Sequence, residues 1–541
     1  MDVFWQRLCE ALVCVSPQFT EQASHRESLD RATAFLCAQV ASLPRMLRIG
    51  TWLGLTAFRA EVLLTQFTRF EQLSRERRVA AIARWADGPL PPGRQLFRAL
   101  RNLAVLPYFE SPAAPAVRTS KSAAPEVTEV QAGVLIIGSG AGGSVTALEL
   151  ASRGHDVLVV EEGPAVSPEP IDPGTTESMS ALYRCRGMTP ILGALPIAYV
   201  EGCCVGGSTE LNSGFWHRPP AETLLRWKAQ YDLAAASPDE LRGHWEWAED
   251  ALGVRGHDGG LPISSALFAR GAAAMDWSVA EVPRTGAEAR MTQSRAGANT
   301  GWGMSRSLIP RAVDAGARML TGYRVERLEM AGSRARAAIL EPRDPTAQPI
   351  RVRADHVFVC AGPTETPSLL RRSGIVRNVG DSLRIHPMLK VAARFNERLD
   401  GTNGRMPLLQ VKEFWPEVVL GGAYFSPGHL AVVLANNWPE SHTRMHELER
   451  MACYYVGVRG TGRGHVRPSR MEKRRTDVSY ELSQEDIWNL SRGVARLSSL
   501  LLKGGATEVL PAVAGLPAIR TEVDAIRWLD DRLDGRACSL T

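Results

Sequence analysis

No apolar run in this chain is both long enough and clean enough to cross a bilayer. The most membrane-like stretch, Ile49 to Phe67, is interrupted by Arg59 and Glu61. That excludes a spanning helix and leaves an amphipathic one, packed on a core or lying peripherally on a membrane surface. The opening residues carry Asp2, Arg7 and Glu10 where a leader needs an apolar core, so a cytoplasmic location is expected, with peripheral membrane association left open. Charge is nearly balanced. The 63 basic and 58 acidic residues leave +5 on 541 residues, too little to point to nucleic acid. The nine cysteines show no CxxC pair and are odd in number, which fits reduced thiols and argues against a disulfide framework. Zinc-type ligand spacing is also lacking, so no metal is expected. No GxSxG turn occurs, which removes the hydrolase nucleophile elbow, and no internal repeat is visible.

What is present is ordinary globular composition, 45% apolar and 22% charged, on a chain long enough for two or three domains. Its densest information lies in Val134 to Glu162, VLIIGSGAGGSVTALELASRGHDVLVVEE. Val134 to Ile137 is the β-branched run of a strand buried on both faces. It feeds into Gly138-Ser139-Gly140-Ala141-Gly142-Gly143, a glycine turn that opens a helix reaching about Arg153. Gly138 permits the tight turn, Gly140 lets backbone approach a pyrophosphate, and Gly143 lets the helix lie close on the strand while its N-terminal N–H groups face an anion. Asp156 to Val160 reads as the second strand. Glu161 at its tip is placed to accept hydrogen bonds from an adenosine ribose and argues against a 2′-phosphate. The whole unit predicts dinucleotide binding, with NAD and FAD both open at this point.

A second glycine-rich segment, Gly202 to Pro220, reads GCCVGGSTELNSGFWHRPP, with Gly206, Gly207, Ser208 and Thr209 followed closely by Asn212. In this order the two segments resemble the glucose-methanol-choline (GMC) family of FAD-dependent oxidoreductases. The resemblance implies FAD as cofactor, held by Gly138, Gly140, Ala141, Gly142, Gly143 and Glu161 on one side. It implies Gly206, Gly207, Ser208 and Asn212 along the flavin ring. Leu224 to Val254, Asn299 to Ala317, Val357 to Ile375 and Gly380 to Pro387 are similar to further family stretches, and Tyr480 to Pro511 to the start of the family's C-terminal part. The helical N-terminal region looks closest to that of long-chain fatty alcohol oxidases.

The expected fold class is therefore α/β. A doubly wound, Rossmann-like FAD domain is joined to an α+β substrate domain built on an antiparallel sheet, preceded by a helical region. Residues 1–110 carry helical periodicity, with Leu29, Thr33, Leu36, Val40 and Leu43 on one face stopped by Pro44. Residues 111–129, rich in Pro, Ala and Ser, read as an extended linker. The FAD domain is expected in two parts, 130–220 and 354–384, separated by mixed helical and flavin-edge segments at 221–353. The substrate domain takes 385–541, with KVAARF, VVLGGAYF, HLAVVLAN and ACYYVGVRG as its strands.

The resemblance implies oxidation of the CH–OH group of an alcohol, long-chain or sterol-like, with hydride passing to flavin N5 and a histidine base near the C-terminus. His465 is the last histidine and no Asn-Pro dipeptide occurs, so that segment is not found here. His386 and His217 are not assigned as base, and the catalytic residues stay unknown. A separate polypeptide supplying the segment, or a flavin-binding chain that is catalytically silent, is carried as the alternative. An NAD-dependent dehydrogenase, a third reading, leaves the Gly206 to Gly214 segment unexplained.

Overall fold

The computed structural model describes residues 2–15, 24–110, 117–120, 128–166, 174–194, 197–233, 236–256, 260–286, 303–399, 409–530, 533 and 540. Most of the expected linker, residues 299–302, and the end of the chain at 539 and 541 lie outside them.

Among the described residues five α-helices open the chain: α1 Val3–Val13, α2 His25–Ser42, α3 Arg45–Gln66, α4 Arg75–Ala86 and α5 Pro91–Tyr108. Short polar residues start two of them. Asp2 accepts from the Phe4 N–H ahead of α1, and Ser74 from Arg77 ahead of α4, each satisfying a backbone donor that the first helical turn leaves free. In α2 the predicted stripe Leu29, Thr33, Leu36, Val40 is buried, and Pro44 ends the run because its ring fits only the first turn of the next helix.

The nucleotide sheet is built from β1 Glu129–Ile137, β2 Val157–Glu161, β3 Arg318–Thr321, β4 Tyr323–Ala331, β5 Arg334–Pro342 and β6 Ile350–Val359. Their spatial order is β3-β2-β1-β6-β5-β4. The first four in that order run parallel and the last two pair antiparallel. Val134 and Ile136 pack to one face with Ala147, Leu148 and Ala151 of helix α6, Ala141–Ala151. Leu135 and Ile137 pack to the other with Leu340, Val352 and Leu369. A strand covered on both sides must be apolar at successive positions, which is why this stretch does not alternate. The boundary expected at 354 is corrected: it falls inside β6, and β3 to β5 are integral to this sheet. β3 joins by pairing with β2 more than 150 residues away, and β4 and β5 join through β6, which pairs with β1 more than 200 residues away, a link no local pattern reports.

The second sheet has β7 Met388–Phe395, β8 Leu409–Val411, β9 Val418–Ala423, β10 Met451–Val458 and β11 Ala506–Pro511, in the order β11-β7-β10-β9-β8 with Ala280–Glu281 at the far edge, all antiparallel. The HLAVVLAN segment, expected as a strand, is a helix. Ser426 caps it and Pro427 starts it, so Pro427–Leu434 forms α8 ahead of α9, Gln484–Lys503. A short apolar run has no period of its own, and capping decides it. The N-terminal helices do not stand apart from this domain. They share one hydrophobic core with β7, β10 and α9, and the Trp438 indole donates to the Val13 carbonyl at 2.5 Å.

Candidate functional site

The strand-to-helix turn after β1 forms the floor of the site. Gly138 has φ +99°, and a Cβ there would stand 2.4 Å from the Cys360 carbonyl oxygen at the end of β6. A Cβ on Gly143 would stand 1.9 Å from the Gly138 carbonyl, so its hydrogen is what seats α6 on the strand. Gly140 differs, since a Cβ there would meet nothing closer than the Gly206 carbonyl at 4.0 Å. Gly140, Ala141 and Gly142 leave the N-terminus of α6 open, and the positive end of that helix is directed at the opening.

Over this turn sits the second glycine segment. A Cβ on Gly207 would lie 3.1 Å from Gly140 Cα, so the two backbones come close because Gly207 carries no side chain. One hydroxyl fastens them. Ser139 Oγ accepts from the Gly206 N–H at 3.1 Å and donates to Glu161 at 2.7 Å. The other Glu161 oxygen accepts from Gly163 at 2.9 Å. Burial raises the Glu161 carboxyl, and the Gly163 and Ser139 donors oppose that rise. A carboxylate has about four acceptor positions, so these bonds leave capacity for a sugar hydroxyl.

Between the two segments opens a cleft of about 320 Å³. It is lined by Gly138, Gly140, Ala141, Gly142, Glu161, Gly207, Ser208 and Asn212 among the residues expected from the sequence. Gly143 and Gly206 hold the two loops from behind. Asn212 Oδ1 accepts from Gly214 at 2.8 Å, turning the chain at the cleft edge. His217 and His386 do not line it.

Sequence reasoning missed the far wall. Glu162, Arg184, Glu201, Val325, Glu365 and Arg372 line the same cleft. Arg184 reaches Glu162 at 2.8 Å and Glu201 at 3.2 Å, and Arg324 reaches Glu365 at 2.7 Å. Burial by itself would raise the Glu162 carboxyl, yet Arg184, Arg324 and Arg343 bring it down to about 2. Glu201 goes the other way: burial raises it, with Arg184 and a 2.5 Å bond from Thr364 opposing. The doubled acid Glu161-Glu162 was the available signal; the arginines carry none, because they come from separate strands and loops.

The arrangement fits FAD on its own terms. A glycine-floored cleft, an open helix N-terminus for a pyrophosphate and a carboxylate at the tip of β2 match a dinucleotide, and the flat Gly207 to Asn212 wall matches a ring. Among the described residues no group of acids, histidines and cysteines could hold a metal ion.

A family model described as GMC oxidoreductase matches residues 133–388. Over 394 residues the chain is 35% identical to an uncharacterized GMC-type oxidoreductase of Sinorhizobium fredii, a match covering 72% of this chain and 77% of that protein. A long-chain-alcohol oxidase of Arabidopsis thaliana is 24% identical over 411 residues, 71% of this chain and 54% of the plant protein. The chain thus spans about half the length of that relative. The crystal structure of pyridoxine 4-oxidase superposes with a TM-score of 0.55 at 17% identity, covering 75% of this chain and 88% of that one.

Proposed function

Since the chain belongs to the GMC oxidoreductases, whose cofactor is FAD, we propose that it oxidises the CH–OH group of a long-chain or sterol-like alcohol. The observation that carries this reading is the likeness to a long-chain-alcohol oxidase across 71% of the chain. Bound FAD supplies the hydride acceptor for such a reaction. The chain's own residues position it. The N–H groups at the start of α6 take the pyrophosphate, and Glu161 takes the ribose. Arg184 keeps Glu162 ionised at the cleft wall. The Ser139 hydroxyl holds the Gly206 to Asn212 wall at a fixed height above the turn, so the ring is oriented by backbone rather than by flexible side chains.

One observation favours a second reading, a flavin-binding chain that is silent alone or acts with a separate polypeptide. No histidine is among the described residues lining the cleft, and alcohol oxidation needs a base close to neutrality. Turnover separates the two. The purified chain is reconstituted with FAD and its visible spectrum recorded before and after anaerobic addition of a long-chain primary alcohol. Bleaching of the flavin bands is expected. Flavin bands that persist with every alcohol tried would replace the first reading with the second, and failure to take up FAD at all would overturn both.

A further inference from the structure

Helix α3 carries two apolar faces where packing requires one. Its inward face, Thr51, Leu55, Phe58 and Val62, is buried, with the Phe58 ring 4.8 Å from Phe97 and 5.1 Å from Phe70. That face accounts for the helix. On the opposite side Met46, Ile49, Leu53, Ala57, Ala60, Leu64 and Phe67 are all exposed, Leu64 at 75% and Phe67 at 92%. Their spacing of three and four residues keeps them on one continuous stripe along the whole helix. Scattered exposed apolar residues are normal, whereas an unbroken stripe six turns long marks a surface that something covers. Trp52 at the stripe's margin is 50% exposed.

Charge says what covers it. Residues 45–101 contain eleven arginines and four carboxylates; with Arg78 and Arg101 buried, nine arginines face four acids at the surface. Three of the four acids are spent on arginines of the same segment, Arg59 with Glu71, Arg84 with Glu61 and Arg98 with Asp87. Arg45 and Arg48 at one end of the stripe and Arg69 at the other make no ion pair among the described residues. Such a surplus opposes the approach of a second copy on the same face and favours an anionic surface. No described helix, α3 included, is long and apolar enough to span a membrane.

We propose that α3 docks this protein on an anionic phospholipid bilayer, with the Met46 to Phe67 stripe in the headgroup layer and Arg45, Arg48 and Arg69 on lipid phosphates. Such docking involves only the N-terminal helices and is independent of whether an alcohol is the substrate.

The test is co-sedimentation of the full-length, FAD-reconstituted chain with vesicles. One set mixes phosphatidylglycerol with phosphatidylcholine, and the other is phosphatidylcholine alone, at about 0.1 M salt. Binding to the anionic set is expected, falling roughly tenfold in Leu53→Glu/Leu64→Glu, which alters exposed positions only and leaves flavin content and unfolding temperature unchanged. Arg45→Gln/Arg48→Gln/Arg69→Gln is expected to lose the preference for phosphatidylglycerol. Wild-type protein that stays in the supernatant with anionic vesicles, or a Leu53/Leu64 variant that binds equally, overturns the proposal. So does light scattering that finds a dimer which the Leu53/Leu64 variant converts to monomer.

Discussion

The hydroxyl of Ser139 donates to the Glu161 carboxylate at 2.7 Å while accepting from the Gly206 N–H, and so ties three separate stretches of chain into one wall of the cleft. Ser139→Ala removes both bonds and leaves the Gly206 donor buried without its partner. Each such bond is worth on the order of 1 kcal/mol, so FAD affinity is expected to fall roughly tenfold to a hundredfold. Quenching of flavin fluorescence on titration into apoprotein measures it, and an unchanged Kd would show that the wall does not need this tie.

Two alanine substitutions in the same turn are expected to fail differently. Gly138→Ala meets a positive φ of +99° and the Cys360 carbonyl at 2.4 Å, and is expected to destabilise the fold by about 1–3 kcal/mol. Gly140→Ala meets only the Gly206 carbonyl at 4.0 Å, an ordinary contact, and projects into the open turn, so the apoprotein keeps its stability and loses FAD. Thermal unfolding of the apo forms beside flavin content of the reconstituted forms separates them. Equal unfolding temperatures for the two variants would refute the distinction.

Glu162 is depressed from 4.5 to about 2 in the folded chain, by Arg184 above all against the opposing effect of burial. A depressed carboxyl adds stability that is complete above pH 4.5 and is lost as pH falls through 2. Glu162→Gln is therefore expected to be less stable than wild type at pH 7 and to converge on it across that window. Denaturation midpoints taken at intervals from pH 7 to pH 2 test this, and parallel curves would contradict it.

His429 is partly buried on α8, its Nδ1 2.8 Å from Ser426 Oγ, and desolvation followed by the Lys390 charge lowers it from 6.5 to about 4. The unfolded chain then binds a proton between pH 6.5 and pH 4 that the folded chain refuses, so stability falls as pH drops through that range, by up to about 1.4 kcal/mol per pH unit. His429→Gln is expected to flatten this limb. Equal pH slopes for the two proteins, measured by denaturant unfolding, would show that His429 titrates normally.

Much of the nucleotide half of the site was legible in the residues. Val134 to Gly143 encodes a buried strand, a tight turn and a helix start through local sterics: which residues tolerate positive φ, which lack a side chain, which are β-branched. Gly138 has the left-handed φ that its place demanded, and Gly140 has the open space. The α2 stripe ending at Pro44 was equally readable, since helical period and proline geometry act within a few residues. The strand expected at HLAVVLAN was not, because six successive apolar residues suit either element and the Ser426 cap decided for helix.

By itself, then, the sequence determined the βαβ unit, its glycine turn and the acid at the strand tip, all short-range consequences of backbone sterics. Only the tertiary structure decided that Gly206 hangs from Ser139, that Arg184 sets the charge of Glu162, and that β3 to β5 complete the sheet begun by β1. It also decided that α1 to α5 share a core with the second domain rather than standing off behind a linker. Those relationships join residues far apart in the chain, and they exist because burying one apolar face or one charge requires a partner that no neighbouring residue supplies.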